Sequence, residues 1–242
     1  MGTAQVVSES NSVKMVTTVY FTNSEEFLGV KERQERERVA TSRAILDAAR
    51  ELFVAEGYQN VSIRKIAEKI EYSPAAIYSY FPSKDDIFLA LAEEGFRMLF
   101  ASSADCAHAQ THANHVDCVR AAFWHLYEFS KEHPEYYSLM FVDRSVPRIS
   151  QDWERFGFVR EMRRQISEMI QQAIDAGDFK AGSPHMVFRV LSAAIHGVAV
   201  IRLCERIHPG EDIDALAHDT LEATLTGLRT GFTHTYSSDS CI

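Results

Sequence analysis

The chain has 242 residues, of which 46% are hydrophobic and 24% charged, and its formal net charge at pH 7 is −9. That length suits one large domain or two small ones, and the composition excludes a mostly disordered chain. No run of residues approaches the roughly 18 consecutive apolar positions of a membrane span, which argues against an integral membrane protein.

Residues 1–38 are expected to form a mobile arm, because they show no sustained hydrophobic period. The mixed-charge run at 31–38 is typical of a solvated helical lead-in. From Thr41 the apolar residues recur with the 3.6-residue period of an amphipathic helix, and Gly57 is expected to end that helix in a left-handed C-terminal cap. The apolar stripe consists of Ile45, Ala48, Ala49, Leu52 and Phe53.

Two short helices and a longer one are predicted next. A second helix follows Ser62. Ser73-Pro74 then opens a third helix, because it supplies a capping side chain and a proline whose missing N–H costs nothing at the first helical position. The third helix extends to about Phe81, and Ser83, with an acidic residue three positions later, is typical of the start of a fourth helix.

The remainder of the chain to about Arg229 keeps the helical period, with Pro and Gly at the breaks and no convincing two-residue alternation. We therefore predict an all-α fold. Residues 39–86 are expected to form a three-helix N-terminal domain, residues 87–230 a larger helical domain, and residues 231–242 a tail.

The short second and third helices, separated by about four residues, satisfy the geometry of a helix-turn-helix. Residues 44–88 closely resemble the DNA-binding domain of the tetracycline-repressor (TetR) family of transcriptional regulators. This resemblance implies a homodimer whose third helices enter successive major grooves of a palindromic double-stranded DNA operator. The matching residues are Ile45 to Ala49, Leu52, Phe53, Glu56 to Tyr58, Ser62 to Arg64, Ile66, Ala67, Ser73 to Tyr78, Tyr80, Phe81, Ser83 and Lys84.

Glu71 lies in the predicted turn, where many members of this family have glycine. The position often takes a positive φ, which an L-residue adopts at a cost on the order of 1 kcal/mol. We therefore expect either local strain or a slightly different turn, with an acidic side chain near the DNA.

The predicted third helix carries no Arg, Lys, Asn or Gln, the residues that make the strongest contacts to guanine and adenine. Its alanine methyls can pack on thymine methyls, and its hydroxyls can reach bases or phosphates. Arg64 is the expected direct base contact, and Lys84 and Tyr80 are expected to hold phosphates. Ile77 and Phe81 are expected in the core. The full predicted DNA-binding set is Ser62, Arg64, Ser73, Ala75, Ala76, Tyr78, Ser79, Tyr80 and Lys84.

The acidity of the chain is unevenly distributed. Residues 31–84 carry ten Lys and Arg against eight Asp and Glu, whereas residues 85–242 carry 14 against 23. The overall charge therefore does not exclude a DNA partner, although it predicts modest non-specific binding and a shallow salt dependence. Arg33, Arg36 and Arg38 either reach an adjacent minor groove or form a solvated face.

In this family the DNA-binding domain is followed by a helical domain that binds a small-molecule effector and dimerises. Residues 132–141 and 194–197 resemble a common version of that domain, named for a Trp-His-Gly triplet, with Ile195 in place of the tryptophan. Apolar pockets with a few polar groups are usual for such ligands, although aromatic residues at helical spacing are more often core. The predicted effector-binding set is Phe123, Tyr127, Tyr137, Met140, Phe141, Trp153, Phe188 and His196, with Tyr136, Phe156 and Met162 as further candidates.

The last two helices, predicted at about 184–206 and 213–228, are rich in small residues. Small residues let helix backbones approach closely, either between two subunits or within one subunit. The residues concerned are Ala193, Ala194, Gly197, Ala199, Ala215, Ala223 and Gly227.

His108, His112 and His115 fall on one face of a helix, with Cys118 three residues further on. Such side chains are plausible ligands for a zinc-like or copper-like ion, but their spacing is not diagnostic. An ordinary surface segment is the simpler interpretation, and no metal ion or other cofactor is assigned.

The leading prediction is a cytoplasmic repressor that a small-molecule effector releases from its operator. The cytoplasm is expected because the first 30 residues show no secretory signal and the four cysteines form no C-x-x-C pair. An enzyme built in a helical domain is an alternative, but we find no G-x-S-x-G, H-E-x-x-H or phosphate-binding glycine loop in the sequence. A helical ligand-binding or interaction protein that no longer binds DNA is a further alternative, supported only by Glu71.

Overall fold

A computed structural model describes residues 24–109, 114–147, 154–180 and 182–231, and within these ranges the chain forms nine α-helices and no strand. The predicted all-α fold is confirmed. A 3₁₀ turn at Tyr58–Asn60 follows the first helix, and a π-helical turn at Ser138–Val142 follows the sixth. The helices are α1 Ser24–Glu56, α2 Ile63–Lys69, α3 Pro74–Tyr78, α4 Lys84–Ala109, α5 His115–Glu132, α6 Pro134–Tyr137, α7 Gly157–Asp175, α8 Pro184–Leu203 and α9 Ile213–Thr230.

The first helix begins earlier than its hydrophobic period predicts, at Ser24 rather than near Thr41. Residues 31–40 are all exposed, so this part of the helix buries no face that a periodic pattern could reveal. Arg33 Nε lies 2.9 Å from Glu37 Oε1, at the i,i+4 spacing that supports an exposed helix. Of the predicted arm, residues 1–23 lie outside the described part of the chain.

The chain divides into two compact units, residues 1–44 and 45–242. The first unit holds the beginning of α1. The second unit holds the rest of α1 and the other eight helices that the structure describes.

Two hydrophobic cores organise residues 45–242. The first core joins the end of α1, α2, α3 and α4 to α6 and the start of α7, and its fully buried members include Phe53, Ile66, Ile77, Phe88 and Tyr137. The predicted burial of Ile77 is confirmed, and Phe81 packs partly buried against the same core. The second core lies among α5, α7, α8 and α9 and includes Phe123, Tyr127, Ile170, Leu191 and Leu221.

Gly57 ends α1 as predicted, but its conformation is not the predicted left-handed cap. Its φ is 80° and its ψ is 145°, a combination that is essentially restricted to glycine. The Gly57 N–H still donates to Phe53 O at 2.9 Å, so one carbonyl of the last helical turn is satisfied. The extended ψ directs the chain into the turn before α2 instead of winding it back over the helix end.

One helix in the described ranges, α8, is long and apolar enough to cross a membrane by length and composition alone. This corrects the expectation that the sequence contains no such run. The finding is weak evidence, because core helices pass the same test, and Leu191 and Ile195 of this helix are fully buried in the second core. Only 28% of the apolar window is buried within the chain.

Candidate DNA-binding surface and effector site

Serine side chains cap the starts of α2 and α3; the cap at Ser73 was predicted, and the one at Ser62 follows from the structure. Ser62 Oγ accepts from Lys65 N at 3.2 Å, and Ser73 Oγ accepts from Ala76 N at 3.2 Å. Each cap uses the hydroxyl only as an acceptor, so each O–H remains able to donate to a DNA phosphate. The same two residues therefore start α2 and α3 and offer phosphate contacts at their first turns.

The turn between α2 and α3 places Glu71 at a φ of 60°. Of the two predicted alternatives, local strain or a slightly different turn, this φ is that of local strain. An L-residue in this region carries strain of about 1 kcal/mol, and the Glu71 side chain is exposed just before α3.

The outer face of α3 is short and uncharged. Ala75 is exposed, Ala76 is half-buried, and Tyr78 exposes 53% of its surface. Ser79 lies just beyond the helix, and its Oγ donates to Ala76 O at 2.7 Å, which leaves it only as an acceptor in this conformation. Tyr80 packs partly buried against the first core.

Arg64 lies on the exposed side of α2, with 81% of its side chain accessible. Its Nε donates to Glu68 Oε1 at 2.8 Å, one turn further along the helix. Exposed pairs of this kind contribute little to stability because solvent screens them, so the guanidinium can turn toward a base at small cost.

Lys84 is engaged inside the protein. Its ammonium donates to the carbonyl oxygens of Tyr58 at 2.8 Å and Val61 at 3.0 Å, and it lies 4.1 Å from the centre of the Tyr58 ring. Tyr58 in turn donates its hydroxyl to Asp85. Lys84 thus joins the first turn of α4 to the connection between α1 and α2, and its phosphate contact stays a prediction.

On the effector side, Tyr137 and His196 bring α6 and α8 together. Burial raises the pKa of the Tyr137 hydroxyl and lowers the pKa of His196, so both are neutral at neutral pH, and the hydroxyl oxygen and Nδ1 are hydrogen-bonded to each other. The Phe141 ring lies 5.0 Å from the Tyr137 ring and 4.9 Å from the His196 ring, centre to centre. Met140 packs beside them against the first core.

The remaining described members of the predicted effector set lie in the second core. Phe123 and Phe188 form a ring pair at 5.8 Å, and the guanidinium of Arg163 lies 5.5 Å from the Phe188 ring. Tyr127 donates its hydroxyl to Asp214 Oδ1 at 2.6 Å, and its pKa is raised to about 12, mainly by burial. Tyr127 therefore joins α5 to α9, and its effector contact stays a prediction.

Members of the predicted effector set fall in two places in the described part of the chain. Tyr137, Phe141 and His196 are in mutual ring contact and Met140 packs against the first core, whereas Phe123, Tyr127 and Phe188 lie at the second core; which of them bind an effector stays a prediction. Trp153 lies outside the described residues. Of the further candidates, Phe156 is fully buried in the first core, with Met162 packed against that core.

Sequence reasoning missed Arg50 and Gly95. Arg50 Nη1 donates to Tyr136 Oη at 2.9 Å, which joins α1 to α6. A Cβ added to Gly95 of α4 would lie 2.4 Å from Met140 Sδ and 3.0 Å from Tyr136 Cδ1. A glycine inside a helical pattern was the available signal, since it indicates a close approach of another element.

The predicted histidine cluster is only partly described. His115 Nδ1 lies 3.4 Å from Asp178 Oδ2, whereas the side chains of His108 and His112 lie outside the described part. Among the described residues, no group of three His, Cys, Asp or Glu side chains is placed to hold a metal ion.

Two family models match this chain. The model described as bacterial regulatory proteins, tetR family, matches residues 45–91, and the model described as tetracyclin repressor-like, C-terminal domain, matches residues 119–224. The first match covers the helix-turn-helix with its flanking helices, and the second covers most of α5 to α9.

The chain also resembles known regulators. It is 42% identical over 55 residues to the HTH-type transcriptional repressor Rv1474c of Mycobacterium tuberculosis, a match covering 23% of this chain and 29% of that protein. The chain spans only 35% and 26% of the length of two other relatives, from Bacillus subtilis and Corynebacterium diphtheriae.

Solved structures share the fold over a longer stretch. A tetR-family regulatory protein from Rhodococcus RHA1 has a TM-score of 0.58 at 21% identity, covering 77% of this chain and 96% of that one. The regulator FadR from Bacillus subtilis in complex with stearoyl-CoA has a TM-score of 0.61 at 16% identity, covering 76% and 98%. The all-α fold, the serine-capped helix-turn-helix and the two matching family models together assign this chain to the TetR family of bacterial transcriptional regulators.

Proposed function

We propose that this protein is a transcriptional repressor that binds a palindromic DNA operator as a homodimer and is released by a small-molecule effector. The observation that carries the proposal is the exposed, serine-capped α3, which follows α2 through the positive-φ turn at Glu71. A short helix with small side chains on its outer face can approach the floor of a major groove closely. The protein would act in the cytoplasm, on chromosomal DNA.

In the proposed complex, sequence is read by few direct contacts. Ala75 and Ala76 can pack against thymine methyls, and Tyr78 can reach a base or a phosphate from the same face. Arg64 supplies the guanidinium that α3 lacks, since it lies exposed in the first turn of α2. Ser62 and Ser73 donate their free hydroxyl protons to phosphates on either side of the groove.

The proposed homodimer is formed by α8 and α9. Only 28% of the apolar window of α8 is buried among the described residues, and a Cβ added at Gly197 or Gly227 would meet no described atom within 4 Å apart from its own helical backbone and chain neighbours. Leu216 of α9 exposes 44% of its surface. A second copy covering these helices would bury that apolar surface in a four-helix interface.

The proposed effector is a small, mostly apolar molecule with at least one polar group. Phe141 exposes 37% of its surface beside the neutral Tyr137–His196 pair, so a ligand that enters there meets aromatic rings and one hydrogen-bonding pair. The effector releases DNA only if it binds the DNA-free arrangement of the dimer more tightly than the DNA-bound one.

Selection of duplexes from a random-sequence pool, followed by fluorescence anisotropy on the enriched duplex and on a scrambled one, tests the proposal. We expect enrichment of a palindrome and tight binding to it.

Ala75→Glu should abolish binding, because it places a carboxylate in the groove, whereas the charge-matched control Ala176→Glu at the end of α7 should bind normally. A pool from which no duplex is enriched would contradict the function.

A further inference from the structure

Tyr137, Phe141 and His196 form an aromatic cluster in which one hydrogen-bonding group remains accessible. Their ring centres lie between 4.9 and 5.6 Å apart. Tyr137 is fully buried, His196 is half-buried, and Phe141 exposes 37% of its surface. A small molecule that enters here therefore reaches Phe141 and the imidazole of His196 before it reaches the tyrosine hydroxyl.

The hydrogen bond inside the cluster indicates which atom can bond to a ligand. Because Tyr137 and His196 are both neutral, the pair carries two hydrogen-bonding protons, and one of them is used between the hydroxyl oxygen and Nδ1. A proton on Nδ1 would leave the hydroxyl proton of the buried tyrosine without an acceptor among the described residues, which is costly. A proton on Nε2 avoids that cost, so Nε2–H is the group that is able to donate to a ligand.

Charged side chains do not contribute to this cluster in the described ranges. Burial alone accounts for the pKa shifts of Tyr137 and His196, with no contribution from a charged neighbour. Arg50 bonds to the adjacent Tyr136 instead. A carboxylate or phosphate beside Phe141 would lose hydration without gaining a counter-charge, whereas a carbonyl oxygen gives up much less and gains the bond from Nε2.

The second core offers different chemistry to a ligand. Phe123 and Phe188 form a ring pair there, and the exposed guanidinium of Arg163 lies 5.5 Å from the Phe188 ring. A guanidinium beside apolar rings suits a ligand with an anionic group. The two parts of the predicted effector set thus favour different ligand classes, uncharged at the aromatic cluster and anionic at the second core.

We propose that the effector is an uncharged, mostly apolar molecule with a carbonyl acceptor, held by a hydrogen bond from His196 Nε2 and by packing on Phe141. The inference rests on the proposed function, because it names the effector class of the same site. Ketones, esters and lactones fit this description, whereas free carboxylic acids, which are ionised at neutral pH, and phosphorylated molecules do not. Tyr137 is a positioning residue, since its bond to Nδ1 sets the tautomer that donates from Nε2.

Three naphthalene derivatives of nearly the same shape test the ligand class without DNA. β-Acetonaphthone carries a ketone, β-naphthoate a carboxylate, and β-ethylnaphthalene no polar group. In equilibrium dialysis with the wild-type protein, the dissociation constant of the ketone should be at least about tenfold below that of the carboxylate. Tighter binding of the carboxylate would overturn the proposal, and so would a ketone that does not bind up to its solubility limit.

His196→Phe tests the hydrogen-bond donor. Phenylalanine keeps an aromatic ring but has no N–H, so the affinity for the ketone should fall by about five- to tenfold while that for the hydrocarbon stays within about twofold. Tyr137→Phe should lower the same ratio by about threefold, because the imidazole keeps an N–H but loses the bond that fixes its tautomer. Equal losses for the ketone and the hydrocarbon in His196→Phe would overturn the proposed bond, since they would show that His196 only packs.

Tyr58→Phe is the matched control, because it also removes the hydroxyl of a buried tyrosine, one that donates to Asp85. It should leave the affinities for all three molecules unchanged. Melting curves establish that each variant is folded, and the wild-type preference between ketone and carboxylate needs no variant.

Arg163→Met separates the two ligand classes. If the carboxylate bound most tightly and Arg163→Met weakened it, the effector would be anionic and held at the second core, and the proposal would be overturned. Arg163→Met should instead leave the affinity for the ketone unchanged. A random pool from which no duplex is enriched contradicts the proposed function, whereas the dialysis results decide the ligand class by themselves.

Discussion

The charged side chains of the candidate DNA-binding surface differ in how many contacts they already make within the protein. Arg64 is exposed and held only by Glu68, whereas the ammonium of Lys84 is used by two backbone carbonyls and an aromatic ring. A charge that already has partners loses them when it turns toward a phosphate, and an exposed charge does not. Arg64 is therefore the better candidate for sequence reading, whereas a phosphate contact by Lys84 would have to replace the contacts that its ammonium already makes.

Arg64→Ala should relax the operator preference. Loss of a good base contact costs about 1–3 kcal/mol, so we expect affinity for the selected duplex to fall by about 5- to 150-fold and affinity for a scrambled duplex to change little. Arg164→Ala is the matched control, because Arg164 also pairs with a glutamate one turn further along, Glu168. Equal losses on both duplexes would remove the base-reading role of Arg64. Anisotropy titrations at two salt concentrations measure both effects.

Glu71→Gly should raise both stability and DNA affinity. Glycine relieves the positive φ, for an expected gain of up to about 1 kcal/mol in the free energy of unfolding, and the change removes a carboxylate beside the DNA. Glu205→Gly is the control, since Glu205 has a φ of 51° after α8, far along the chain from the helix-turn-helix. Urea unfolding should show a gain for both variants and anisotropy a tighter complex for Glu71→Gly alone. An equal change in affinity would show that strain relief, not charge, is responsible.

At the scale of elements, Gly95 lets α4 and α6 pack closely against each other. Helix interiors usually disfavour glycine by about 1 kcal/mol relative to alanine, so its presence at Gly95 needs a packing reason. The contact with Tyr136 and Met140 supplies that reason. The same contact allows α6, which is only four residues long, to lie close enough to α1 for Tyr136 to meet Arg50.

Gly95→Ala should destabilise the protein despite the better helix propensity of alanine. The added methyl would overlap Met140 Sδ and crowd the Tyr136 ring, and overpacking of this kind costs about 1–3 kcal/mol. Urea unfolding measures the loss. Met140→Ala in the same chain should recover part of it, because the sulfur is the closest of the overlapping atoms. Unchanged stability in Gly95→Ala would mean that α6 moves away without cost and that the close approach is not needed.

For the whole molecule, the distribution of apolar surface favours self-association. The second core buries one face of α8 and α9, while Gly197, Ala215 and Leu216 remain open on other faces. The proposed four-helix interface removes this apolar surface from water.

Gly197→Leu should weaken the proposed homodimer without unfolding the chain. A Cβ built at this position meets no atom of another described element within 4 Å, so we expect the fold to tolerate a side chain there, but a leucine would keep two α8 helices of the proposed dimer apart. Sedimentation equilibrium should show dissociation at a higher concentration than for the wild-type protein. Gln172→Leu on the exposed side of α7 is the control for added surface hydrophobicity. A chain that is monomeric before any substitution would contradict the interface.

The helix-turn-helix was predictable because its signals are local. Serine caps, Pro74, Ser83 and the apolar period each act within four residues, so α2, α3 and the start of α4 follow from neighbouring side chains. The family resemblance rests on the same stretch. The positive φ at Glu71 was also expected, since it is a property of the turn itself.

Tertiary structure decided which distant side chains meet. An aromatic residue at helical spacing faces some partner, but the sequence does not say which one, and so Phe123, Tyr127 and Tyr137 were placed in one predicted site. The fold sends Tyr137 to His196 and Tyr127 to Asp214, because α6 packs on α4 whereas α5 packs on α9. Short-range hydrogen bonding and periodicity thus determine the helices of the helix-turn-helix, whereas long-range packing alone decides which aromatic side chains meet and brings Tyr136 to Arg50.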